Sequence, residues 1–478
     1  GSMSDDMKES GSMSDDMKES GSMSDDMKLS GESGSMSDDM KLSGESLFSV
    51  HLATIDVHGT PLQIDELQSP LKSRATSAAA AQTDAERLFT SRDVVDGLMT
   101  MDECSHAAAV APRTVLVTGG AGFIGSHTSA RLLVKGDRVV VVDEVNDYYS
   151  VKQKEDNIEW LQGLSEMRGH GELVIVRGDI CDDNLMLHVF QGYDITHVVH
   201  LAARAGVRPS IEDPMIYVHS NVRGTTKLLE LARQHQCQHF VYASSSSVYG
   251  DTSREVFRES DRTDTPVSPY AATKKACELM AATYSHLYDM HTAGLRFFTV
   301  YGPRGRPDMA PYLFIDNICH GRPIKQFGDG SSERDYTYID DIVSGVLGAL
   351  DNPKGCQVYN LGNGRPIALR DFIAIAGDCV GKRPIITEFP PQAGDVTRTC
   401  ADISLAKDLI GYSPQVPFEI GMQKTAEWFR FRDCTCPSPS GTPPLKFERG
   451  QHRSLTLSER CRHRDTTSVT GNRSKGKS

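Results

Sequence analysis

Thr114-Val115-Leu116-Val117 followed by Thr118-Gly119-Gly120-Ala121-Gly122-Phe123-Ile124-Gly125 decides the fold. An apolar, β-branched run reads as a buried strand, and the glycines that follow make a turn into a helix. Gly119 permits the tight turn, Gly122 lets the backbone approach a pyrophosphate, and Gly125 lets the helix pack close to the sheet. Phosphates would then face the free N–H groups at the helix start, around Phe123 and Ile124, where the helix dipole favours negative charge. The spacing is GxxGxxG, and a glycine triplet alone also suits a structural turn.

The surroundings favour the dinucleotide. Arg138–Val142 reads as a second buried strand, and Asp143 ends it 18 residues beyond Gly125. A carboxylate there can accept hydrogen bonds from adenosine ribose hydroxyls and repels a 2′-phosphate, which favours NAD over NADP. Two later loops extend the same cleft: Asp179-Ile180 after the strand Leu173–Arg177, and Leu201-Ala202-Ala203 after His197–His200. Strands alternating with helical stretches predict an α/β fold, a doubly wound parallel sheet covered on both faces.

Tyr270 and Lys274 lie four apart, so on a helix they are neighbours. Pro269 suits the helix start. A phenol ionises near pH 10, and lowering that by about 3 units needs roughly 4 kcal/mol, which Lys274 and a cationic cofactor ring could supply. Phe240–Ala243 reads as a strand, and Ser244-Ser245-Ser246-Ser247 follows at its C-terminal end, where an open parallel sheet presents its ligands. A hydroxyl there could bond a reacting sugar oxygen and pass its proton to a tyrosinate.

These residues, Gly119/Gly122/Gly125, Asp143, Ser244–Gly250 and Tyr270/Lys274, resemble the extended short-chain dehydrogenase/reductase superfamily over about residues 111–430. Within it the likeness is to UDP-glucuronate 4-epimerases, carried by Ala205–Arg208, Arg296–Met309, Gly328–Tyr336, Gly394–Val396 and Ala401-Asp402. The resemblance implies a Rossmann-type NAD part, mainly 111–295, and a smaller nucleotide-sugar part, mainly 296–330 and 380–431. It implies Ser245 as the catalytic hydroxyl, Tyr270 as base and Lys274 as its partner on the nicotinamide ribose. Ser246, Ser247, Thr299 and Arg306 would face the hexose, and Arg208 the carboxylate or a phosphate. Arg334 would grip the diphosphate and Asp395 the uridine ribose. The family usually has a bulky aromatic where Arg304 stands.

Neighbouring chemistries share a first oxidation at C4. A 4,6-dehydratase resembles Asp-Glu after the catalytic hydroxyl, and a decarboxylase typically carries Ser-Glu before Val-Tyr-Gly; this chain has Ser246 and Ser247 in those places. The expectation is therefore 4-epimerisation of UDP-glucuronate through a 4-keto sugar, with tightly bound NAD regenerated each turnover. UDP-glucose 4-epimerisation and, more remotely, UDP-glucuronate decarboxylation stay as alternatives, and a dinucleotide-binding sensor without turnover is the rival from another class.

The ends differ in composition. Residues 1–46 repeat GSMSDDMKES twice and GSMSDDMKLSGES twice, with eight Asp and four Glu against four Lys, most of the chain's formal charge of −13. Such a segment cannot bury enough apolar surface to offset its ordering entropy, so disorder is expected. Residues 47–110 read as a poorly ordered linker with one helix, Thr83–Leu98. Residues 432–478 form a flexible basic tail with ten Lys/Arg and four Asp/Glu, without the aromatic interleaving of a nucleic-acid module. No apolar run is long enough for a membrane anchor, and the first 46 residues lack the apolar centre of a signal peptide. Eleven scattered cysteines fit reduced thiols in the cytoplasm. Cys434/Cys436 and His235/Cys237/His239 lack a second pair at zinc spacing, so no metal is expected. Superfamily resemblance implies a homodimer through the Asn221–Gln234 helix (Leu228, Leu229, Leu231) and the Tyr270 helix (Ala276, Leu279, Met280, Tyr284); core packing explains those residues equally well.

Overall fold

The computed structural model describes residues 113–252, 254–390 and 397–433. The acidic repeats, the linker with its expected helix, Asp395 and the basic tail beyond Asp433 lie outside the described residues.

Seven strands form the central sheet: β1 (Thr114–Thr118), β2 (Arg138–Asp143), β3 (Leu173–Arg177), β4 (His197–His200), β5 (His239–Ser245), β6 (His291–Phe297) and, later in the chain, β10 (Cys356–Leu361). Their order is β10-β6-β5-β4-β1-β2-β3, and every neighbouring pair is parallel. A parallel sheet covered on both sides needs apolar residues on both faces, which the valine runs supply. Val115, Val117, Val139 and Val141 face one core, with Leu132, Leu161 and Ile342 from helices Phe123–Val134, Val151–Ser165 and Ile339–Asp351. Leu116, Val140, Val142 and Val198 face the other, with Met186, Leu228 and Ala281 from helices Asp183–Gly192, Gly224–Gln234 and Pro269–Tyr288. Alternate side chains of each strand thus reach opposite layers. The expected doubly wound sheet is the observed one.

Three short strands, β7 (Thr299–Tyr301), β9 (Glu333–Tyr338) and β11 (Pro366–Ala368), make a second sheet; β8 (Ile324–Phe327) and β12 (Ile386–Phe389) make a third. Buried rings of Tyr301, Tyr336, Tyr338, Phe372 and Phe418 pack together beside the β7/β9 strands.

The helix expected from Asn221 differs at its start. Val218–Arg223 is a π-helical turn, and the α-helix begins at Gly224. The wider turn aims the buried Asn221 amide at Arg204, accepting from its N–H at 2.9 Å and donating to its C=O at 3.0 Å, and it donates to Thr273 Oγ1 at 3.0 Å. Leu228, Leu229 and Leu231 are buried against the sheet, whereas Leu279 is 59% exposed. Among the described residues no helix is long and apolar enough to cross a membrane. The seven described cysteines are unpaired with one another.

Candidate active site

The glycine turn is dictated by contact. Gly119 adopts φ +71°, and a Cβ there would lie 2.6 Å from the Ala202 nitrogen. At Gly125 a Cβ would lie 2.0 Å from the Gly119 carbonyl oxygen, so the third glycine is required by the turn's own backbone rather than by the sheet. Close approach to the sheet falls to Gly120 instead, where a Cβ would meet Val141 at 2.6 Å. Gly122 caps the helix without a side-chain acceptor. The Tyr149 hydroxyl stands beside this helix start, 3.6 Å from where a Cβ at Gly122 would lie. Ile124 follows, half-buried, in the first turn. A glycine turn at a helix N-terminus, with the small Ala202 and Ala203 alongside, fits a dinucleotide pyrophosphate.

Asp143 ends β2 with its carboxylate fixed by two N–H donors, Ala121 at 3.0 Å and Val145 at 2.8 Å. Burial raises its pKa, and these donors oppose that rise. Each oxygen keeps a lone pair for a ribose hydroxyl. Asp179 accepts from Cys181 N at 2.8 Å and bonds His219 Nε2 at 2.7 Å. Ile180 is buried against Gly224. Leu201 N donates to the Thr118 carbonyl at 3.0 Å and Ala202 N to Thr118 Oγ1 at 3.3 Å, which holds the third loop to the glycine turn.

Ser245 is the last residue of β5, and Ser246–Tyr249 turns as a short 3-10 helix. Ser247 donates its hydroxyl to Ser245 Oγ at 2.9 Å, and its N–H does so at 3.2 Å. With both acceptor positions of Oγ filled, the Ser245 proton is left for another acceptor, and the influence of Ser245 opposes the burial-driven rise of the Tyr270 pKa. Ser268 caps the Tyr270 helix by accepting from Ala271 N at 3.1 Å, with Pro269 in the first turn. Lys274 is buried, and its ammonium donates to the Ala243 carbonyl at 2.8 Å. Burial raises the Tyr270 pKa and lowers that of Lys274. The largest opposing influences on Tyr270 are Ser245 and the charge of Arg306, so these two groups help the phenol ionise.

Around this centre stand residues that motif reading passed over. The Tyr217 ring meets Tyr270 edge-on at 6.1 Å, and its hydroxyl lies 3.4 Å from that of Tyr148. Arg306 lies over the Tyr148 ring at 5.2 Å and over Tyr149 at 5.9 Å, and pairs with Asp308 at 2.6 Å. Ser245, Tyr270, Lys274 and Arg306 therefore belong to one cluster. Arg208 lies apart from it, exposed, over the Phe327 ring at 5.9 Å. Arg334 on β9 donates to the Glu333 and Thr397 carbonyls, and Thr299 on β7 is half-buried opposite Tyr336. The Tyr148-Tyr149 doublet five residues after Asp143 was the available signal for the first of these neighbours.

A buried polar network supports the centre. Glu278, one turn beyond Lys274, receives Arg296 Nε and Nη2 at 2.8 Å each and Ser244 Oγ at 2.6 Å. Arg296 Nη1 continues to the Tyr249 hydroxyl at 3.0 Å, which donates to Asn360 Oδ1 at 2.6 Å. The Tyr270 helix, the end of β5 and β6 are thereby tied at one carboxylate. Arg304, at φ +61°, lays its guanidinium over Trp160 at 4.3 Å and donates to Asn157 Oδ1 at 3.0 Å.

Residues 116–425 match the family described as GDP-mannose 4,6 dehydratase. UDP-glucuronate 4-epimerase 3 of Arabidopsis thaliana is 45% identical over 336 residues, covering 66% of this chain and 76% of that protein. UDP-glucuronate 4-epimerase of Thermodesulfobacterium geofontis is 44% identical over 314 residues, covering 66% and 95%. Among solved structures, UDP-glucuronic acid 4-epimerase from Bacillus cereus, in complex with UDP-glucuronic acid and NAD, superposes with a TM-score of 0.61 at 35% identity, over 66% of this chain and 99% of that one.

Proposed function

The chain belongs to the GDP-mannose 4,6 dehydratase family of extended short-chain dehydrogenases/reductases, and from that premise we propose that it is an NAD-dependent isomerase interconverting UDP-glucuronate and UDP-galacturonate at C4. Bound NAD supplies the hydride acceptor and donor; the rest falls to side chains. Tyr270 takes the C4 hydroxyl proton, with Ser245 bonded to both oxygens during the transfer. Lys274 and Arg306 favour the tyrosinate by their charge. After the 4-keto sugar turns its other face, Tyr270 returns the proton. Gly119, Gly122, Phe123, Ile124, Gly125, Asp143, Asp179, Ile180 and Leu201–Ala203 hold the cofactor.

The observation that carries the uronate is the guanidinium of Arg306 stacked on Tyr148, in the same aromatic cluster as Tyr217 and Tyr270, with hydroxyls rather than carboxylates at Ser246 and Ser247. Arg306, Thr299 and Ser246 face the hexuronate, Arg208 and Arg334 the phosphates, and Asp395 the uridine ribose. Residues 296–330 and 380–431 form the nucleotide-sugar part. A homodimer forms through the catalytic helix, where Leu279 and Leu287 are each 59% exposed.

Incubation of the purified protein with UDP-glucuronate, followed by chromatography, tests the reading. UDP-galacturonate is expected. UDP-pentose as the main product, or turnover of UDP-glucose alone, would overturn it. Arg306→Ala should raise KM for UDP-glucuronate or release UDP-pentose as by-product.

A further inference from the structure

We propose that Tyr148 is a positioning residue that holds Arg306 for the substrate carboxylate and so keeps epimerisation from leaking into decarboxylation; this rests on the assignment of Arg306 made above. Tyr148 lies on the loop that leaves β2 after Asp143 and enters the Val151–Ser165 helix. Its backbone N–H is held by Asn146 Oδ1 at 3.2 Å, and its hydroxyl donates to the Ala205 carbonyl. Both ends of the ring are therefore anchored. Two guanidiniums use that ring, Arg306 at 5.2 Å and Arg204 at 5.3 Å. The ring attracts each cation and keeps the two like charges on fixed lines.

Asp308 takes one edge of Arg306, through Nε at 3.0 Å and Nη2 at 2.6 Å. A guanidinium has five coplanar N–H donors, so the edge formed by Nη1 and the second Nη2 hydrogen remains for another carboxylate. Asp308 is 47% exposed, so the aromatic stack is the more rigid of the two restraints on the arginine plane.

That plane matters for a β-keto acid. Oxidation at C4 leaves the C6 carboxylate two bonds from a ketone. If the C5–C6 bond stands across the carbonyl plane, it breaks. Its electron pair forms the C4–C5 enolate, CO2 departs, C5 takes a proton from water, and hydride returned to C4 gives a UDP-pentose. A carboxylate gripped by a fixed Arg306 is held out of that alignment.

The test is product partition at saturating UDP-glucuronate for the full chain and for Tyr148→Ala, Tyr148→Phe and Arg306→Ala, with thermal melts of each. Tyr148→Ala should raise the UDP-pentose to UDP-galacturonate ratio about tenfold. Tyr148→Phe, which keeps the ring, should stay within about twofold of the parent ratio. Should Tyr148→Ala fold poorly, Tyr148→Leu serves, since the ratio is counted per sugar converted. An unchanged ratio in the Tyr148 variants beside a raised one in Arg306→Ala overturns the proposal and spares the uronate reading. Unchanged ratio and KM in Arg306→Ala removes both.

Discussion

Glu278→Ala offers the most direct test of how the Tyr270 helix is held. Glu278 and Arg296 are 4% and 3% exposed, and the substitution removes two bonds from Arg296, one from Ser244 and one from Lys275. It leaves a buried guanidinium whose remaining partners are neutral, the Tyr249 hydroxyl and the Glu259 carbonyl. Removing one partner of a buried pair costs about 3–5 kcal/mol. Unfolding entropy near 2.1 cal/mol/K per residue, over roughly 300 ordered residues, gives about 1.5 °C per kcal/mol. The expected fall in Tm is therefore about 5–8 °C. The pair should also be non-additive: Glu278→Ala with Arg296→Met removes the stranded charge and should recover part of the loss. Because Ser244 adjoins Ser245, kcat should fall with little change in KM. Differential scanning calorimetry of the single and double variants, with steady-state kinetics, checks this. A Tm within about 1 °C of the parent for Glu278→Ala would show that the carboxylate tie carries no weight. Strict additivity in the double variant would do the same.

Tyr270→Phe should retain bound NAD and UDP-glucuronate affinity while losing about 10²–10⁴ in kcat, the usual share of a general base; calorimetric binding and turnover together check it. Gly125→Ala brings a methyl to 2.0 Å from the Gly119 oxygen, so the turn must open and the purified variant should carry little NAD, read from its absorbance after denaturation. Burial depresses His197 and His239 to about 4 and His200 to about 3. An unfolded histidine takes its proton near pH 6.5, so between these values the unfolded state binds more protons and stability falls with falling pH. The stability is fully present above pH 6.5, and about 1 kcal/mol per histidine should be lost by pH 5.5. A Tm that stays flat from pH 7 to 5 would contradict the neutral, buried state of these rings.

The sheet was legible because its signals are local. Val139–Val142 and the glycine turn state a buried strand and its sharp exit in consecutive residues, and observed strand ends differ from expectation by one or two positions. The Ser245, Tyr270 and Lys274 constellation was legible for the same reason, since spacing on one strand end and one helix suffices. What stayed hidden depends on partners far apart in sequence. Glu278 meets Arg296 across 18 residues and Ser244 across 34. Tyr148 reaches Ala205 across 57, and a polar or aromatic residue carries no mark of such a partner in its own neighbourhood. The π-turn at Val218–Arg223 escaped because the amide of Asn221, rather than helix propensity, sets its width. Gly120 was missed and Gly125 misattributed because a glycine shows that room is scarce but not which neighbour occupies it.

The slot above Trp160 carries a lesson about what that position selects. The family resemblance implies an aromatic ring there, and this chain places the guanidinium of Arg304 at 4.3 Å from the indole centre. Both are thin, planar and weakly hydrated on their faces, so either slides into the same gap. Thickness, then, is what the slot requires, more than polarity. A lysine, with the same charge but a round, strongly hydrated head, would not fit that description, so charge-conserving change should harm this loop more than exchange for tryptophan.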